Sequence, residues 1–124
     1  MSHHSTFGLK RIFNAVIYSC RGISATWKSE AAFREEILSG IIMFPAAFLL
    51  GETLTQTAIL IIPLFLVLIV ELLNTGIEHA IDRVGFERHE LSGLAKDAGS
   101  AAVFLSNMLI ICVWSLVALD RFVF

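Results

Sequence analysis

Four polar residues stand where a long apolar run should exclude them: Glu71, Asn74, Glu78 and Asp82. On a helix turning about 100° per residue, Asn74 lies about 60° from Glu71, while Glu78 and Asp82 each return to within about 20° of it. The four form one narrow stripe with Glu71 deepest, because no charge occurs from Ala58 to Val70. A carboxylate at that depth costs roughly several kcal/mol unless it is paired, protonated or facing a wet cavity. An interhelical hydrogen-bond pair is the plain structural explanation, and a functional site is the sharper one.

More ionisable groups converge on the shallow end of the stripe. The connection from Arg83 to Lys96 brings Glu87, His89 and Glu90, the next apolar segment opens with Lys96 and Asp97, and Glu30 ends an N-terminal arm. Carboxylates, an amide and a lysine at a membrane boundary suit a divalent cation holding a polyphosphate. Magnesium takes few carboxylates and completes its shell with waters and phosphate oxygens, and lysine adds a compact positive charge. Phosphoryl transfer then requires positioning, charge neutralisation and a base for the incoming hydroxyl. Intramembrane acids also build proton or cation pathways, so a small channel or exporter is an equal alternative on chemistry alone. Neither a GxxxxGK[ST] loop nor a kinase Gly-rich loop is present.

These residues must be positioned by membrane helices. The chain has 124 residues, enough for one domain (1–124), with 56% hydrophobic and only 16% charged residues, and a mean hydropathy of +0.79. That composition is shifted from soluble domains towards lipid. The net charge of −2 and the lack of a basic stripe argue against a nucleic-acid partner. Cys20 and Cys112 lie in separate apolar segments without CxxC spacing, which reads as two inert thiols. His3 and His4 read as tail residues, and no cleavable signal peptide is visible at the N-terminus.

Three apolar blocks predict membrane spans at about 35–53, 58–81 and 98–119, each necessarily helical because lipid cannot satisfy a lone strand. The first is short and interrupted by Pro45, and reaches spanning length only with Glu35 and Glu36 at one interface and Glu52 at the other. From about Phe7 to Lys28, apolar and basic residues alternate as in an amphipathic interfacial helix, continuous or broken near Gly22. Lys and Arg crowd the N-terminal segment and the link between the second and third spans, whereas the link around Glu52 to Thr57 has none. The positive-inside rule therefore places the N-terminus in the cytoplasm and the C-terminus outside. Ala95-x-x-x-Gly99 and Ala98-x-x-x-Ala102 allow close helix approach.

The segments Glu30-Ala-Ala-Phe-Arg-Glu-Glu36, Glu71-Leu-Leu-Asn-Thr-Gly-Ile-Glu78, Asp82-Arg83 and His89-Glu-Leu-Ser-Gly-Leu-Ala-Lys-Asp-Ala-Gly-Ser-Ala-Ala102 closely resemble the prokaryotic diacylglycerol kinase family of Gram-negative type. The resemblance runs from about Phe7 into the third span. It implies an all-α homotrimer of three-span protomers with interfacial arms and active sites shared between subunits. It also implies location in the bacterial inner membrane and magnesium-dependent transfer of the ATP γ-phosphate to diacylglycerol, giving phosphatidic acid and ADP.

By the same resemblance, Glu71 is the general base, Asn74 acts beside it, and Glu30 and Glu78 hold the metal. ATP contacts fall to Arg11, Tyr18, Glu30, Glu78, Glu87, Arg88, His89, Lys96 and Asp97. The lipid is lined by Arg11, Ser19, Trp27, Ala32, Arg34, Glu71 and Ser100. The family commonly has glutamine at Glu35, an aromatic at Arg88 and arginine at Leu94, so adenine packing beside Arg88 is expected to differ. An undecaprenol kinase shares the E-x-x-N-x-x-x-E core, but the HELSGLAKDAGSAA run and the long arm look like the diacylglycerol enzyme.

Overall fold

The computed structural model describes residues 8–124 as four helices: α1 (Gly8–Ser29), α2 (Ala31–Leu50), α3 (Leu54–Val84) and α4 (Glu90–Phe122). Phe7, His3 and His4 lie outside the described residues. The described residues contain no strand, so the all-α expectation holds for them.

Of the two readings of the arm the continuous one holds: α1 runs unbroken through Gly22. A single helical glycine costs only about 1 kcal/mol against alanine, and the amphipathic pattern on both sides continues in phase across it. Its final carbonyls, of Trp27 and Lys28, accept from the Arg34 guanidinium at 2.6 and 3.2 Å. The arm is thereby tied to the first turns of α2.

α3 is the central helix, packing most extensively on α4 and next on α2, while α1 meets α2 and α3 more lightly. Its start is fixed by two side-chain caps. Thr53 accepts from the Gln56 backbone N–H at 3.1 Å, and the Gln56 side chain accepts from the Glu52 N–H at 2.9 Å. Its buried positions are Thr57, Leu60, Pro63, Leu64, Val67, Glu71 and Thr75, a helical progression of threes and fours that makes one packing face. Pro63 removes a backbone donor from this helix, and Trp114 Nε1 on α4 donates to the neighbouring Leu60 carbonyl at 3.1 Å. At this same end of the bundle, Arg121 donates to the last carbonyls of α2, those of Leu49 and Leu50.

α3 and α4 are each long and apolar enough to cross a membrane. Both helices outrun the apolar blocks, because hydropathy marks the lipid-immersed part and not where the backbone stops being helical. α2, at 20 residues, is about 30 Å long, and its first turns carry Arg34, Glu35 and Glu36. Cys20 and Cys112 are free and exposed.

Candidate active site

The polar stripe continues the packing face of α3. Glu71 is only 5% exposed and Thr75 is equally buried, while Asn74, Glu78 and Asp82 are half-buried. The spacing that keeps Leu60, Leu64 and Val67 on the bundle side also carries Glu71 inward, where intramembrane acids belong if they are to avoid lipid.

Other carboxylates converge on Glu71 from two elements. Glu36, Glu30 and Glu78 are all near enough to act on its charge. Glu30 is the N-cap residue of α2, yet its side chain makes no capping hydrogen bond, so its carboxylate is free for another partner. Asn107 of α4 is close enough to act on Glu36, while its Nδ2 donates to the Val103 carbonyl at 3.0 Å. Asn74 Nδ2 lies 3.4 Å from Glu78 Oε1. Asn74 Oδ1 is buried without a hydrogen-bond partner and lies against Gly99 of α4.

At the mouth of the stripe Lys96 forms an ion pair with Asp82 at 2.9 Å. This lysine lies just outside the apolar run of α4. Its hydrogen bond with Asp82, and then the charge of Asp82, hold its ammonium above the ordinary lysine value, with a smaller contribution from Glu78. Asp82, Glu87, Arg88, His89, Ser92 and Lys96 line a cleft of ≈ 210 Å³ formed by the ends of α3 and α4 and their connection. His89 also caps α4, its Nδ1 accepting from the Leu91 N–H at 3.1 Å, which leaves Nε2 for other contacts. A second, apolar groove of ≈ 290 Å³ lies between α2 and α3, lined by Ile37, Gly40, Ile41, Phe44, Leu64, Phe65 and Leu68. Its end at Ile37 and Leu68 is next in sequence to Glu36 and one turn from Glu71.

The predicted site residues thus fall into three sets. Glu30, Glu71, Asn74 and Glu78 come together, and Glu87, Arg88, His89 and Lys96 share the cleft above them. Arg11, Tyr18, Ser19, Trp27, Ala32, Asp97 and Ser100 are exposed on the outside of the single chain. There Arg21 stacks over the Tyr18 ring at 5.8 Å, Ser19 donates to the Ala15 carbonyl at 2.7 Å, and Arg34 is engaged with the end of α1.

Two members of the group escape a reading of the sequence. Glu36 passes for an interface marker beside Glu35, and Asn107 is hidden in the third apolar block. The available signal is the presence of Asn107 as an amide within that block, a position that calls for a partner on another helix.

Among the described residues, no three His, Cys, Asp or Glu side chains form a cage for a metal. Magnesium does not require one, since one or two carboxylates plus phosphate oxygens and waters suffice. Glu30, with its uncommitted carboxylate, and Glu78, beside the unpartnered Asn74 oxygen, fit that role.

Comparison with known proteins gives the family. Residues 17–118 match the family model described as prokaryotic diacylglycerol kinase. The chain is 43% identical over 111 residues to a diacylglycerol kinase of Haemophilus influenzae, covering 90% of this chain and 94% of that one. It is 47% identical over 112 residues to one of Pseudomonas aeruginosa, covering 90% and 91%. With one of Escherichia coli K12 it shares 40% identity over 119 residues, covering 96% and 98%. A match of this extent, spanning both the α3 stripe and the cleft above it, places the chain in the prokaryotic diacylglycerol kinase family.

Proposed function

We propose that this chain is a lipid kinase that transfers the γ-phosphate of ATP to the hydroxyl of 1,2-diacylglycerol, giving phosphatidic acid and ADP at the cytoplasmic face of the inner membrane. The observation that carries this reading is Glu71. It is a carboxylate buried on the packing face of a membrane helix, with three other carboxylates gathered around it, in a chain aligned nearly end to end with kinases of that name.

Glu71 takes the proton from the lipid hydroxyl as its oxygen bonds to the γ-phosphorus and the bond to the β,γ-bridging oxygen breaks, releasing ADP. The groove between α2 and α3 gives an acyl chain a dry path that ends beside Glu71, so the headgroup hydroxyl arrives at the depth of the base. Lys96 and the cleft residues Glu87, Arg88 and His89 receive the nucleotide, joined by Asp97, Arg11 and Tyr18. Glu30 and Glu78 hold Mg²⁺, which offsets the charge of the phosphates. Asn74 fixes the Glu78 carboxylate. Ser19, Trp27, Ala32, Arg34 and Ser100 border the lipid.

In this reading α2 is a third span, its roughly 30 Å matching the hydrocarbon thickness. The N-terminus is then cytoplasmic and the C-terminus periplasmic. The functional unit is a homotrimer. Arg11, Tyr18, Asp97 and Ser100 are exposed on a single chain, and the small residues Ala98, Ala101 and Ala102 offer a face for close approach of another copy. A site completed across subunits accounts for both.

The test is direct. Purified oligomer with γ-labelled ATP, magnesium and diacylglycerol yields labelled phosphatidic acid, and the label passes to diacylglycerol in preference to undecaprenol offered in the same assay. Absence of labelled lipid from an intact oligomer overturns the reading, and preference for undecaprenol reassigns the substrate.

A further inference from the structure

We infer that Gly99 of α4 is a positioning residue for the Asn74 amide, its missing side chain being the slot that holds Asn74 against Glu78. Gly99 is buried in the α3–α4 contact. A Cβ built there would overlap Asn74 Oδ1 and lie 3.2 Å from Asn74 Cγ. At the other helical glycines, Gly8, Gly22, Gly40, Gly76 and Gly93, an added Cβ meets nothing within 4 Å. The requirement for glycine is therefore local to this one contact and is not a general feature of the small-residue stripe on α4.

The amide has little else to hold it. Its one hydrogen bond, from Nδ2 to Glu78 Oε1, is long at 3.4 Å, and its Oδ1 has no donor. Turning the amide over would set Oδ1 against a carboxylate oxygen, so Glu78 dictates which end faces it. What remains to fix the side chain is steric: the Gly99 backbone on one side and the Glu78 carboxylate on the other. An added methyl at position 99 meets the tip of a flexible side chain, not the α3 backbone. The two helices can stay in place while Asn74 swings out of its slot and Glu78 loses its donor. Alanine also raises helix propensity at this position, which favours a folded variant.

The functional consequence rests on the kinase reading, in which Glu78 holds the metal. Removing an outer partner of a metal-binding carboxylate lowers metal affinity or activity by about 10- to 100-fold. Gly99→Ala should therefore raise the magnesium concentration for half-maximal rate, with kcat falling and KM for the lipid unchanged. A merely structural role would not move the magnesium requirement selectively.

The experiment is a cycle of wild type, Gly99→Ala, Asn74→Ala and the double variant, using full-length protein in detergent. Magnesium titrations are read beside the side-chain amide resonances of Asn74, identified by their loss in Asn74→Ala. The expected result is a shifted Asn74 amide in Gly99→Ala, with the double variant no worse than Asn74→Ala alone. An unmoved amide, or losses that multiply in the double variant, overturns the inference. If Gly99→Ala does not fold, recovery of the fold in the double variant supports the overlap with Asn74, and failure to recover overturns it. Because the amide resonances are read without turnover, they test Gly99 even if the wild type proves not to phosphorylate lipid.

Discussion

Replacing Glu71 by glutamine should lower activity without lowering stability. The substitution keeps the size and shape of the side chain and removes one negative charge. As general base, a positioned carboxylate contributes about 10²- to 10⁴-fold, equivalent to about 2.7–5.4 kcal/mol at 1.36 kcal/mol per decade. The structure sets the stability side. Glu71 is 5% exposed, three carboxylates repel it, and the one ion pair among the described residues, Lys96–Asp82, does not involve it. An acidic side chain at the centre of a span costs about 2.5–3.5 kcal/mol on insertion scales, and glutamine removes the charged part of that cost. Glu71→Gln should thus lose at least about 100-fold in kcat while its resistance to unfolding in mixed micelles stays level or rises. Labelled phosphatidic acid gives the rate, and loss of helicity with added denaturing detergent gives the stability. If turnover stays within about tenfold of wild type, the base assignment is wrong. If stability falls by more than about 1 kcal/mol, Glu71 is a structural partner in a hydrogen bond.

Asp82→Asn should change stability by no more than about 1 kcal/mol, because the Lys96–Asp82 pair is roughly 40% exposed on both sides and such pairs are screened; unfolding at low and high salt checks this. Removing Arg34 as Arg34→Ala frees the carbonyls of Trp27 and Lys28. Hydrogen bonds to a charged group are worth about 1.5–3 kcal/mol, so amide exchange in the last turn of α1 should accelerate at least tenfold while α3 exchange is unchanged. Gly51→Ala should be destabilising by about 1–3 kcal/mol, since a Cβ there would lie 2.5 Å from Thr57 Oγ1 and 2.8 Å from the Thr57 backbone nitrogen, an atom that cannot turn aside. Denaturing-detergent titration measures that loss.

That the chain is helical and that α3 and α4 can cross a membrane is legible because hydropathy marks them, whereas the ends and continuity of the helices are not. α1 passes through Gly22 because one glycine is too weak a signal to stop an in-phase amphipathic helix. α4 begins at Glu90, well before its apolar run, because His89 caps it. Within the site, Glu71, Asn74 and Glu78 can be read from a single helix by geometry. Glu36 and Asn107 cannot, since each acquires meaning only from the helix opposite it. Gly99 is visible as a small residue, but its contact partner is a property of the α3–α4 register.

That register explains how a costly polar cluster is tolerated in a bundle with no hydrophobic drive to hold it together, lipid being as apolar as its side chains. The site occupies the packing face of α3 itself, continuous with Leu60, Leu64 and Val67. The polar half offers packing fewer apolar contacts, and one of its buried atoms, Asn74 Oδ1, has no hydrogen-bond partner. Directional contacts add to packing at the edges of the cluster and beyond it: Lys96 on Asp82 at its mouth, Arg34 on the end of α1, Trp114 on Leu60, and Arg121 on the end of α2. They fix the relative positions of the helices at both ends of the bundle. Glu30, Glu71 and Glu78 can then share one end of the bundle with no cation among the described residues paired to any of them, Glu78 having only the long hydrogen bond from Asn74.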